Sequence, residues 1–185
     1  SSNVNPHPVT WDQIDWESFE EWWQFCDDNG FGCNAVTTGL KKEVLNNIAG
    51  TGRASWDLLD NKYRIVIDTE KNVSQLFTPR NSFNYAGQKT FSTIPTGYKC
   101  SFISAAEDYI ETEQYIYEDD GAPSDAELQN ISLFGVTSWE EAYKHAKYLL
   151  AVAKLRPEAH TFDVDIESLT CVRGDRIKLQ HDVPM

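Results

Sequence analysis

The segment that is most informative about secondary structure runs from Gly135 to Pro184 and reads GVTSWEEAYKHAKYLLAVAKLRPEAHTFDVDIESLTCVRGDRIKLQHDVP. Ser138 and Glu141 have the spacing of a helix capping box, and so do Thr137 and Glu140. We prefer the register in which Ser138 caps the helix. Apolar residues then recur every three or four positions until Pro157, which cannot continue a helix. The stretch therefore predicts a capped amphipathic helix followed by short strands.

The predicted helix carries one continuous apolar stripe. Its members are Trp139, Ala142, Tyr143, Ala146, Leu149, Leu150 and Ala153. The small alanines would let the helix lie close against a sheet or a neighbouring helix. We select Trp139 and Tyr143 as candidates for packing and assembly because they are the largest side chains of this stripe.

Residues 161–167 show the clearest strand pattern in the chain. An apolar face and an acidic face alternate along it: Phe162, Val164 and Ile166, against Asp163, Asp165 and Glu167. We expect the apolar face to pack, and the acidic face to meet water or line an acidic channel. Side chains two apart on a strand lie roughly 7 Å from each other, so three carboxylates would not converge on one cation unaided.

The tripeptide Arg173-Gly174-Asp175 matches a cell-adhesion motif, but its position favours another interpretation. It separates the apolar-containing segments 170–172 and 177–179, and its glycine can adopt the positive φ that a tight turn requires. We predict a β-hairpin turn here.

The amino-terminal half predicts a second set of elements. Residues 1–10 are expected to form a flexible end or linker, and a helix is expected to run from the Asp15 cap to Asp27. Its aromatic face predicts core packing, although a subunit interface or a carbohydrate platform would use the same residues. The remaining predictions are a strand at 33–37, a helix at 40–48, a hairpin of 54–59 with 63–68 turned by Asp60-Asn61, and strands at 98–103 and 114–117.

The order of these segments along the chain resembles that of the phage tail-tip family. Its members are the host-specificity or central-hub proteins of long-tailed phages. In that family an Ala- and Leu-rich helix precedes Arg-Pro-Glu, a strand, a Gly-Asp pair and a second strand. The corresponding residues here are Arg156-Pro157-Glu158, 162–166, Gly174-Asp175 and His181-Asp182. Upstream, the similar segments are Leu76–Asn81, Phe91, Ile94-Pro95 and Cys100–Ile103.

The resemblance implies a structural component of a tail tip, located in the virion tail and assembled in the bacterial cytoplasm. It implies a homotrimeric hub in the full-length protein that contacts other phage tail proteins and lets DNA pass. A host cell-surface receptor would be bound through other parts of the polypeptide. The chain begins Ser-Ser-Asn and its single Met is Met185, so we expect a piece of a larger protein.

Composition and motifs narrow the function further. The formal net charge of −13 opposes contact with phosphate backbones, so we expect no sequence-specific nucleic-acid binding. The four cysteines lack metal-site spacing and are expected to be reduced thiols. The acidic turn at 118–121 lacks the later ligands of a calcium loop, and no nucleophile elbow occurs. We therefore predict no enzyme, no catalytic residues, no metal and no cofactor.

Together these patterns predict an α+β protein. A mixed α+β domain would span residues 11–130, and residues 131–185 would form a helix and β-hairpin. The family resemblance implies that residues 131–185 belong to a small β-barrel of the tube or hub type. That barrel would be either complete or incomplete. The alternative is a non-catalytic carbohydrate or cell-surface binding module, with stacking platforms at Trp22, Trp23, Trp56 or Tyr85. A hydrolase accessory domain would instead require a concave pocket with converging carboxylates.

Overall fold

The computed structural model describes residues 8–37, 40–89, 94–119, 121, 127–166 and 170–181. Within these residues the chain forms three α-helices and nine strands, which confirms the α+β class. None of the sheets in these ranges closes into a barrel. The chain divides into two compact units, Ser1–Asp68 and Thr69–Met185, so the predicted boundary after residue 130 lies inside the second unit.

The first unit consists of two helices and one hairpin. Its elements are α1 (Trp16–Asn29), α2 (Lys41–Thr51), β1 (Ala54–Leu59) and β2 (Lys62–Ile67). The predicted turn is confirmed, since Asp60 and Asn61 both have positive φ, as a two-residue turn between twisted strands requires. The predicted strand at 33–37 is wrong, because those residues adopt no regular structure.

Both helices lie against the hairpin and leave an apolar cleft between them. The hydroxyl of Ser18 donates to the carbonyl of Asp15 at 2.8 Å and accepts from the amide of Ile65 at 3.0 Å, which ties α1 to β2. The Trp22 indole N–H donates to the Gly52 carbonyl at 3.1 Å. A Cβ at Gly52 would overlap that indole, so glycine permits the close approach after α2.

The second unit holds the remaining strands and one long helix. These are β3 (Val73–Phe77), β4 (Phe83–Lys89), β5 (Gly97–Ser104), β6 (Ile110–Tyr117), β7 (Leu128–Ser132), α3 (Trp139–Leu155), β8 (Glu158–Asp163) and β9 (Arg176–Leu179). In the largest sheet, β5 pairs antiparallel with β6 and parallel with β7. None of the helices in the described ranges is long and apolar enough to cross a membrane.

The core of the second unit lies between α3 and the sheet centred on β5. One buried cluster consists of Tyr98, Cys100, Ile116, Ala146 and Leu150. Because Tyr98, Cys100 and Phe102 alternate along β5, all three face the helix. Ala142 and Ala146 are fully buried, and their small side chains let α3 approach the strands closely.

The last two strands do not form the predicted hairpin. β8 pairs antiparallel with β4, whereas β9 pairs parallel with β3, so each joins a strand from the early part of the unit. The turn itself is present: the Asp175 amide donates to the Val172 carbonyl at 3.1 Å, and Gly174 has a φ of 89°. Residues 170–172 are not a strand, and therefore this turn has no β-ladder beneath it.

Candidate assembly surface

The position of α3 is set at its amino end. The Ser138 hydroxyl accepts a hydrogen bond from the Glu141 amide at 3.3 Å, which confirms the preferred capping register. From this start, Ala142, Ala146 and Leu150 face the sheet. Two other residues of the predicted stripe, Trp139 and Tyr143, are partly exposed in the first two turns of the helix.

Trp139 and Tyr143 form an exposed aromatic pair, which we call the α3 aromatic pair. They expose 46% and 37% of their surface, and their ring centroids lie 5.8 Å apart at an interplanar angle of 52°. The Lys147 ammonium lies 5.4 Å from the Tyr143 ring centroid and donates to the Glu118 carbonyl at 2.7 Å. Large aromatic side chains fixed at a surface are typical anchors of protein interfaces.

The predicted apolar face of residues 161–167 is divided in the structure. Phe162 packs on the buried Phe77 ring, with centroids 4.9 Å apart, and Val164 is half-buried. The strand ends at Asp163, and Ile166 exposes 88% of its surface. The prediction of one continuous strand face through Ile166 is therefore wrong. Phe162 packs within the chain, whereas Ile166 is exposed and remains available for contact with another molecule.

The predicted acidic face is exposed where the structure describes it. Asp163 accepts a hydrogen bond from the Asn84 side-chain amide at 2.8 Å, across the β4–β8 pair. Asp165 is exposed, and Glu167 lies outside the described residues. Across those residues, no three His, Cys, Asp or Glu side chains come together as a metal site.

A cluster that the sequence did not predict connects β4, β8 and the segment after β9. The Tyr85 ring stacks on His181 and His160, with centroid distances of 4.6 and 5.8 Å, and its hydroxyl lies 2.9 Å from His160 Nδ1. Ser82 Oγ donates to the Thr78 carbonyl at 2.7 Å, so it accepts its second bond, at 2.9 Å, from His181 Nε2. Ser82 therefore links the Thr78 backbone to His181.

This cluster carried no sequence signal because its members are far apart in the chain. Ser82 and His181 are separated by 99 positions, and Tyr85 and His160 by 75. Only the β4–β8 and β3–β9 pairings bring them together.

The residues proposed as carbohydrate platforms differ in exposure, and they belong to two different units. Trp23 exposes 64% of its surface, whereas Trp22 and Trp56 are half-buried beside the cleft of the first unit. Tyr85 is held in the stack of the second unit. Trp16 belongs to the aromatic helix face for which a carbohydrate platform is one alternative. It forms an exposed stack with Trp11, with ring centroids 5.1 Å apart.

The cysteines provide a test of the core around β5. Cys100 is fully buried, and burial raises the pKa of its thiol to about 11. Because the thiolate is the reactive species, we expect Cys100 in the folded chain to resist iodoacetamide at pH 8, whereas the exposed Cys33 reacts. Peptide mass spectrometry of the alkylated chain would measure both sites. Equal alkylation of the two sites without denaturant would contradict this packing.

Comparison with known proteins identifies a family. Residues 80–185, more than half of the chain, match the model of the family Phage-tail_3, whose description is "Putative phage tail protein". The matched region includes α3, its aromatic pair, and strands β4 to β9. No curated protein matched the chain.

Proposed function

Since the chain belongs to the Phage-tail_3 family of phage tail proteins, we propose that it is a non-catalytic part of the central hub at the tail tip. The observation that carries this proposal is the α3 aromatic pair. It lies in the region that matches the family, on a helix whose Ala142, Ala146 and Leu150 are fixed in the core. Such a rigid, exposed anchor suits a structural protein that functions by contact with its neighbours.

In the proposed hub, three copies form a ring and contact other tail proteins. The α3 aromatic pair and Ile166 lie in the contacts between neighbours. The exposed Asp163 and Asp165 face the lumen or the solvent. The net charge of −13 supports this arrangement, because an acidic wall does not retain the phosphates of passing DNA. Host attachment would involve the assembled tip, with the receptor bound elsewhere in the polypeptide.

The test is the native mass of the chain by light scattering, over a range of concentrations and salt. We expect a trimer that dissociates in the double variant W139A/Y143A. The variant should still fold, since neither residue belongs to the buried core clusters. Loss of the pair should shift the monomer–trimer midpoint at least about tenfold, the size of effect expected for one interface anchor.

Tyr115 provides the matched control, because it is an exposed aromatic residue of the same unit, with 49% of its surface accessible. Y115A should leave the mass unchanged. A monomer at every concentration, or equal dissociation in Y115A, would contradict the role given to the aromatic pair. Immunogold labelling of virions that carry the chain would test the location, with label expected at the end of the tail farthest from the capsid.

Carbohydrate binding remains the second candidate, because the exposed Trp11–Trp16 stack offers a flat aromatic surface. Trp11 exposes 76% of its surface and Trp16 50%, so both rings could contact a sugar face. A glycan array probed with the whole chain would test this. Binding that is lost in W11A/W16A would favour the second candidate, and absence of binding to bacterial surface glycans would remove it.

A further inference from the structure

The apolar cleft of the first unit is a concave site that the proposed hub contacts do not use. It has a volume of about 570 Å³ and lies entirely within residues 9–65, outside the region that matches the family. Its lining is formed by Val9, Ile14, Phe19, Trp22, Lys41, Lys42, Leu45, Ile48, Ala49, Trp56, Tyr63 and Ile65. This volume is within the usual range for sites that bind a compact ligand or a few side chains.

The walls of the cleft are mostly apolar and include four aromatic side chains, those of Phe19, Trp22, Trp56 and Tyr63. Trp22 is fixed by its hydrogen bond to Gly52, so one wall is rigid. Leu45 exposes 46% of its surface and Val9 48%, and both extend the apolar lining toward the outside. Rigid aromatic walls with apolar edges favour bulky apolar side chains as occupants.

The charge of the cleft is opposite to that of the whole chain. Lys41 and Lys42 are exposed and are the only charged residues among those that line it, although the chain carries a net charge of −13. Two ammonium groups beside an apolar cavity attract carboxylates, whereas the remaining acidic surface repels them. An occupant therefore gains most when its acidic groups lie next to the apolar side chains that enter the cleft.

We propose that this cleft binds an acidic, amphipathic peptide segment of another protein. One or two bulky apolar side chains of the segment enter between α1 and α2, and adjacent Asp or Glu side chains pair with Lys41 and Lys42. This docking function does not depend on the position of the chain in the tail. It places partner binding in the first unit, whereas the assembly surface lies in the second.

The test uses a library of random 12-residue peptides displayed on filamentous phage and selected on the immobilised full chain. We expect enriched peptides in which Asp or Glu flanks Trp, Phe or Leu. Their binding should weaken about tenfold in K41E/K42E, because two attractions become repulsions, and it should also weaken with added salt. In L45A, the loss of an apolar contact should weaken binding without removing the salt dependence.

Each variant has a matched control. K62E/K71E changes the net charge by the same amount at two exposed lysines outside the cleft, and L58A removes a leucine with 51% exposure that does not line it. Both controls should bind the selected peptides as the original chain does. Circular dichroism of all four variants would verify that each remains folded.

Several outcomes would overturn the proposal. These are failure to enrich any peptide, enrichment of peptides without acidic residues, or equal weakening by K62E/K71E. Displacement of the selected peptides by laurate, together with stronger binding of laurate than of any peptide, would assign the cleft to an amphipathic lipid instead. A change of native mass in K41E/K42E without peptide binding would assign it to contacts between copies. The hub proposal is tested separately by W139A/Y143A, which leaves the cleft intact.

Discussion

Replacement of Phe77 by alanine is expected to lower the free energy of unfolding of the second unit by about 3–5 kcal/mol. Phe77 is 1% exposed and packs against Phe162 at a centroid distance of 4.9 Å. The substitution removes this contact and leaves a cavity between β3 and β8, which belong to two different small sheets. The loss is large because Phe77 is among the largest fully buried side chains of the described residues.

The measurement should follow each unit separately. Five of the six tryptophans lie in the first unit and only Trp139 lies in the second, so the fluorine resonance of 5-fluorotryptophan at Trp139 reports unfolding of the second unit in urea. Phe83 is the matched control, since it is 48% exposed and F83A should cost about 1 kcal/mol. Equal midpoints for F77A and F83A would contradict the role of Phe77 as a core residue.

Replacement of Ala146 by leucine is the second large perturbation. Ala146 is 0% exposed and packs against Tyr98, Cys100 and Ile116, so a larger side chain would force α3 away from the sheet. We expect a loss of about 2 kcal/mol, which corresponds to a fall in Tm of roughly 4–8 °C. Thermal denaturation followed by circular dichroism would measure it.

Ala151 provides the control for this experiment within the same helix. It is exposed, and A151L adds the same atoms without a neighbour to displace. Its effect on the free energy of unfolding should stay within about 0.5 kcal/mol. If A146L melted at the temperature of A151L, the close contact between α3 and the sheet would be disproved.

Local features of this fold could be predicted from the sequence. The cap at Ser138 and the turn at Asp60-Asn61 depend on residues that are neighbours in the chain, and both predictions are confirmed. The helices were also predicted in place, although α2 continues to Thr51, beyond the predicted end at residue 48. In each case the decisive hydrogen bonds lie within a few positions of one another.

Features that depend on distant partners could not be predicted in this way. The alternation at residues 161–167 indicated a strand but not its partner, and the strand occupies 158–163 because it pairs with β4. Periodicity likewise placed Trp139 and Tyr143 on one stripe with Ala146. It could not show that Trp139 and Tyr143 stay partly exposed while Ala142, in the same first turns of α3, packs with Phe102 in the core. The cleft arises from two helices against one hairpin, an arrangement that no single segment specifies.

The pairing of β3 with β9 has a consequence for how the chain is made. On a ribosome β3 is synthesised early, but the strand that completes it follows only after α3, and the contact of Gln75 with Thr170 already spans 95 positions. At roughly 5–20 residues per second, the unpaired edge of β3 is exposed for several seconds. The contacts of the first unit all lie before residue 69, so that unit can fold during this interval. Slow closure of such long-range pairs makes the nascent second unit the part of the chain most in need of a chaperone.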